Sequence, residues 1–174
     1  MRKTTIRLLT AAVRVDPMSR IIFLEELARQ VRTGTLELLR ATRESWLTWA
    51  PDGTSNHLLW HAGHALWLQD VLCIQPLTRA SELPDGWDKS FGAHCRPVRT
   101  TTQWPGRTEV QRLLEAQLAR LLELFQREAS RLTRTADTPA QWSATRGIIH
   151  GLHDEARHQG EMYLLLKLCR ARGD

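Results

Sequence analysis

Residues 150–160 read HGLHDEARHQG, which places three histidines and two carboxylates in eleven positions. At about 100° of rotation per helical residue, His150, Asp154 and His158 share one face with a drift of about 40° per step, whereas His153 lies about 140° from His158. The apolar positions around this stretch follow the same period. The segment from about Ser143, SATRGIIHGLHDEARHQGEMYLLLKLCRARG, therefore reads as one long helix that ends in basic residues before Gly173.

Three more helices precede it. Asp16 followed by Pro17 is an N-cap with proline at the first helical position, and Leu24, Leu27, Val31, Leu38, Leu39 and Trp46 then recur at helical spacing, ending before APDG at 50–53. Thr54, Ser55 and Asn56 offer caps for a second helix, NHLLWHAGHALWLQDVLC, running to about Ile74. Thr108 and Gln111 make a capping box for a third, with Val110, Leu114, Leu118, Leu121, Leu122 and Phe125 as its apolar stripe. Between the second and third, residues 76–106 carry four prolines and three glycines without a sustained period and read as a long crossover. The expected fold is all-α, a four-helix bundle over residues 16–174 with one long crossover between its second and third helices.

Composition narrows the function. The chain has 174 residues, one domain's length, and seven of its eleven aromatic residues are Trp. The net charge is +5, but residues 1–20 hold Arg2, Lys3, Arg7, Arg14 and Arg20 against Asp16 alone. The rest is nearly neutral, which argues against a broad phosphate-binding face, so a nucleic-acid partner is not expected. The basic segment 1–15 lacks the apolar run of a secretion signal or membrane span and is expected to be flexible; Met18 also leaves open a native start later than residue 1. Cys73, Cys95 and Cys169 are widely spaced with no C-x-x-C, so neither a disulfide framework nor a zinc knuckle is implied, and a reducing, cytoplasmic setting is expected.

The histidine-rich face has several metal-site templates to meet. A zincin needs histidines four apart in H-E-x-x-H, and HDEARH sets His153 and His158 five apart. A di-iron bundle needs two E-x-x-H motifs, and Glu155 with His158 supplies one. There remains a mononuclear site with Asp154 and His158 as an i,i+4 pair and a third ligand from another helix. His57, His61 and His64 on the second helix lie within about 60° of one another, and spacing does not choose among them. Imidazole and carboxylate ligands suit Zn, Ni or Fe(II) and leave positions for water or substrate.

Together the helix order, WHAGHALW (60–67) and HDEARHQGE (153–161) resemble the DinB/YfiT-like superfamily of metal-binding four-helix bundles, from about Asp16 to the C-terminus. The resemblance implies that a G-H-x-x-W segment gives one ligand, here His64, and that an H-x-x-x-H-x-G pattern gives two more, falling on Asp154 and His158 with Gly160 as the glycine. Asp154 departs from the commoner histidine, although relatives resembling the mycothiol-dependent maleylpyruvate isomerases carry a glutamate there. WDKSFGAHCRPV (87–98) and WPGR (104–107) resemble crossovers that lie over the metal-site opening.

The expectation is a metal-dependent enzyme in which His64, Asp154 and His158 hold a divalent ion that activates water or a low-molecular-weight thiol, for transfer, isomerisation or hydrolysis of a small molecule. Glu155 and His61 are candidates for proton transfer beside the metal, with Glu155 otherwise expected to face solvent or Arg157. Trp60, Trp67 and Trp142 are expected in the core, with a pocket beside the metal as the alternative, and Cys95 beside His94 is noted as a candidate sulfur ligand. The alternative function is a stress-responsive binding or dimerisation module without turnover, and a homodimer is expected in either case.

Overall fold

The computed structural model describes residues 16–93, 104–134 and 143–173. Segment 1–15, His94, Cys95 and Trp142 lie outside the described residues. Among the described residues there is no strand, and no helix is long and apolar enough to cross a membrane.

Helix α1 (Pro17–Ala41) starts as the sequence reads: Asp16 Oδ2 accepts from the Ser19 N–H at 3.0 Å. It stops earlier than expected. Thr42 turns extended, donates its Oγ1–H to the Leu38 carbonyl at 2.8 Å, and a 3₁₀ turn follows over Glu44–Trp46. Helix α2 (Leu58–Gln69) is capped by His57 rather than by Thr54, Ser55 or Asn56, the His57 Nδ1 accepting from the Trp60 N–H at 3.0 Å. A wider π turn (Asp70–Ile74) carries the chain into α3 (Gln75–Thr78).

Within the crossover, α4 (Trp87–Phe91) forms where no period was legible. Helix α5 (Arg107–Arg127) is capped by Gly106, and the expected Thr108–Gln111 capping box does not form. Arg107 sets the start instead, reaching the Thr42 carbonyl at 2.8 Å and Glu44 at 3.0 Å, so Thr108 falls inside the first turn. After α6 (Ala129–Leu132), α7 (Ala144–Arg172) begins on Ser143, which accepts from the Arg146 N–H at 3.1 Å, and ends at a left-handed Gly173 with φ 78°.

The four long helices run up, down, down, up. Arg20 reaches Thr133 while Arg40 reaches Glu115, so α1 and α5 are antiparallel. Ile21 and Leu24 pack with Ile148 and Leu152, and Thr35 meets Glu155 further on, so α1 and α7 are parallel. The return from α2 to a parallel α5 is what requires the crossover.

The apolar core is split in two. Leu39, Leu66, Leu114 and Met162 belong to one cluster, and Val31, Cys73, Leu121 and Leu152 to the other. Each long helix changes cluster at a polar residue: Arg32 on α1, Gln69 on α2, Gln117 on α5 and Glu155 on α7, all buried. Arg32 meets Glu155 with Nε on Oε1 and Nη2 on Oε2, both at 3.0 Å. Thr35 donates to Oε1 at 2.7 Å and Gln69 to Oε2 at 3.0 Å. Arg32 also donates to Gln117 Oε1 at 3.0 Å and to the Leu114 carbonyl at 3.3 Å, while Gln117 donates to the Leu66 carbonyl at 2.9 Å. With both charges paired and multiply bonded, the layer tolerates its burial, but either charge alone would not.

We therefore expect Arg32→Met and Glu155→Leu each to lower stability in urea unfolding by about 3–5 kcal/mol, and the double variant to lose far less than the two losses together. Single losses below about 1 kcal/mol would show that the layer is hydrated and not a dry ion pair.

Candidate metal centre

Burial of Glu155 fixes how α7 is turned. With Glu155 pointing at the core, a rotation of about 100° per residue sets His158 about 60° to one side, over α2, and Gln159 about 40° to the other, over α1. Gln159 accordingly donates to the Val31 carbonyl, and to Thr35 Oγ1 at 3.0 Å. His158 meets His61, their Nδ1 atoms 3.0 Å apart. Glu161, one turn on, brings its Oε2 to 2.8 Å from His158 Nδ1 and 3.1 Å from His61 Nδ1. These three residues form a cluster that could hold a metal ion.

Each group suits that role. Burial, with His61 nearby, holds the His158 imidazole below its ordinary pKa, against the opposing pull of Glu161. The hydrogen bond from His61 lowers the Glu161 carboxyl to about 2, so it is ionised although more than half exposed. A carboxylate oxygen and imidazole nitrogens converging on one point are satisfied together by a cation. Ligand bonds near 2.1 Å put neighbouring donors about 3.0 Å apart along an octahedral edge and about 3.4 Å apart around a tetrahedron. The observed 2.8, 3.0 and 3.1 Å match one face of an octahedron.

The other sequence candidates are placed differently. His64 lies beside the cluster, its ring 4.7 Å from that of His158, with Nδ1 2.5 Å from the Phe91 carbonyl. The backbone carbonyl accepts from the Nδ1–H there, which leaves Nε2 with the lone pair. Burial, only partly offset by that bond, lowers its pKa to about 4. The ring is stacked between Trp60 at 4.6 Å and Trp67 at 5.3 Å, the i, i+4, i+7 face of α2. Trp60 and Trp67 thus combine packing with lining the histidine.

Asp154 pairs with exposed Arg157 at 3.0 Å, near enough to His64 and His158 to act on both electrostatically. The rotation of Glu155 away from Asp154 was expected to turn it to solvent or Arg157; instead it is sealed in the core by Arg32. His57 caps α2, and His150 and His153 are exposed. Sequence reasoning missed Glu161. Its signal was the i,i+3 spacing from His158, which puts the two side chains on neighbouring faces one turn apart.

Helix α4 is clamped onto the histidine face. A Cβ at Gly63 would lie 2.2 Å from Phe91 Cε1, so only glycine lets the ring approach. Trp87 Nε1 donates to the Gly63 carbonyl at 3.0 Å and Trp60 Nε1 to the Ser90 carbonyl at 3.2 Å. The glycine of G-H-x-x-W is thus what seats the carbonyl that orients the next histidine.

An all-helical bundle with a histidine and carboxylate cluster between two of its helices defines a class of protein, and the comparisons with known proteins agree with it. The profile of the DinB superfamily matches residues 27–162, well over half of the chain, and the chain belongs to that superfamily. Its fold is similar to the crystal structure of a conserved protein of Enterococcus faecalis, at 15% identity and a TM-score of 0.55, covering 84% of this chain and 95% of that one. Among curated proteins, none matches.

Gly63→Ala should displace α4 at a cost of about 1–3 kcal/mol in unfolding free energy, accompanied by a change in the emission of Trp60 and Trp87. An unchanged spectrum and melting curve would mean that α4 does not clamp α2. A second expectation concerns pH. Burial, with His61 nearby, lowers His57 from 6.5 to about 4. Below pH 6.5 the unfolded chain takes up a proton that the folded chain refuses, so stability of metal-free protein should fall as pH drops from 6.5 towards 4. His57→Asn, which keeps a capping side chain, should flatten part of that slope in urea titrations.

Proposed function

We propose that the chain is a metal-dependent enzyme acting on a small molecule, with one divalent ion held by His61, His158 and Glu161. The observation that carries this reading is the convergence of their three donor atoms, at octahedral-face spacing, beside an open cleft of about 550 Å³ that His61 and Glu161 line. Three protein ligands on one face leave positions for water and substrate. Zn, Ni and Fe(II) all accept this donor set, and when bound such an ion lowers the pKa of a coordinated water or thiol. Transfer, isomerisation and hydrolysis are reactions that an activated water or thiol serves.

The chain's own residues divide the remaining work. Glu161, ionised at the mouth of the site, offsets the charge of the ion. The His158 imidazole, held below its ordinary pKa by burial, is neutral near pH 7 and adds no positive charge to repel the ion. Glu155, with no path to water, supports the site by holding the rotation of α7 rather than by proton transfer.

A second ligand set, His64, Asp154 and His158, is favoured by a separate observation. The Phe91 carbonyl at His64 Nδ1 leaves Nε2 as the free donor, the arrangement usual for a ligating histidine. Asp154 would need only to leave Arg157, an exposed partner worth little.

Elemental analysis of untagged protein, purified without chelator, tests both. Near one equivalent of metal is expected in the parent and background levels in His158→Ala. Loss in His61→Ala and Glu161→Gln, with retention in His64→Ala and Asp154→Asn, selects the first set; the reverse pattern selects the second. A parent that stays empty after reloading with Zn, Ni or Fe(II) refutes the metal-dependent reading.

A further inference from the structure

The cleft above the cluster has two unlike walls. One is the loop that leads into α2, with Thr54, Ser55 and Asn56; the other is the second half of α7, with Leu164, Leu165 and Leu168. Leu164 is 57% and Leu168 38% exposed, on a helix whose other aliphatic residues nearby, Leu165 and Leu166, are buried. Leu164 and Leu168 are four residues apart, so they stand one turn above the other and extend the face of Glu161 outward. From Glu161 to Leu168 the helix rises about 10 Å, room for an aliphatic chain of about six carbons. The volume, about 550 Å³, is that of a small-molecule site. Among the described residues that line it, none is Lys or Arg, and the carboxylate among them is that of Glu161.

We propose that this cleft binds small single-chain amphiphiles, an aliphatic tail of about six carbons lying along Leu164, Leu165 and Leu168 with the head group at His61 and Glu161. The tail site stands on the leucine wall alone; the preferred head rests on the metal reading. With a divalent ion beside Glu161 that end of the cleft is net positive and takes a Lewis-basic anionic head such as a carboxylate. Without the ion, Glu161 leaves it negative and a cationic head is preferred.

Calorimetric titration of the full chain, metal-loaded and metal-free, with butanoate and hexanoate and with butylamine and hexylamine, separates the two statements. Along a half-open wall each added methylene should tighten binding by about twofold, half the effect of full burial. Leu164→Ser and Leu168→Ser, both at exposed positions, should remove that dependence while leaving the melting temperature and metal content at parental values. Tail dependence for the carboxylates in loaded protein supports the cleft and the metal together. Tail dependence for the amines alone, the same whether or not metal is added, supports the cleft and removes the metal reading. Affinities that ignore tail length, or a tail dependence that survives in both serine variants, overturn the proposal.

Discussion

The dry ion pair between Arg32 and Glu155 is the constraint on which the rest of the bundle depends. Two charges removed from water must find each other at bidentate geometry, and here they do so with Thr35, Gln69 and Gln117 filling the remaining hydrogen-bonding capacity. The apolar clusters above and below supply the driving force for collapse, but leucines and phenylalanines tolerate many registers. One buried carboxylate reached from two other helices tolerates few. A slip of α7 by one residue would turn Glu155 about 100° away from Arg32 and leave both charges unpaired in the core.

Register at the core carries through to the site. His158 follows Glu155 by three residues and Glu161 by six, so the rotation that buries one presents the others to α2 and the cleft. On the facing helix, the sequence from Trp60 to Trp67 is stacked in order, tryptophan, histidine, tryptophan, and Gly63 admits Phe91 between the turns. The crossover is thereby joined to the histidine face: it supplies the carbonyl that meets His64 Nδ1, and Trp87 and Phe91 hold it against Gly63.

Legibility in the sequence followed the range of the interactions. Local signals were plain. Asp16 before Pro17, Ser143 and Gly173 mark helix ends by bonds within a turn, and the α5 stripe is a repeat within one segment. Ends set by distant residues were not legible. Arg107 begins α5 by reaching back to Thr42 and Glu44, and α4 is helical because Trp87 and Phe91 have α2 to pack on. The same division runs through the site. The Asp154 and His158 face of α7 could be read from spacing and the superfamily from two short motifs, whereas spacing left His57, His61 and His64 on the second helix undivided. Glu155 could not be placed, because its burial requires an arginine 123 residues earlier. Nor could Glu161 be distinguished from an ordinary exposed carboxylate, since only the position of His61 gives it a second partner.

Placement of the charges suits the His61, His158 and Glu161 cluster to a cation. His64 and His158, whose pKa values burial depresses, stay neutral near pH 7, so neither adds a like charge that would repel an incoming ion. The ionised group, Glu161, stands at the exposed edge, where water solvates it before an ion arrives and where its field reaches the cleft. Were the carboxylate buried and the histidines exposed, the carboxylate would protonate or recruit an arginine, as Glu155 does six residues earlier. Two glutamates on one helix thus meet opposite fates from a rotation of about 120°: one neutralised within the core as a brace, the other left charged at the rim where a cation can reach it.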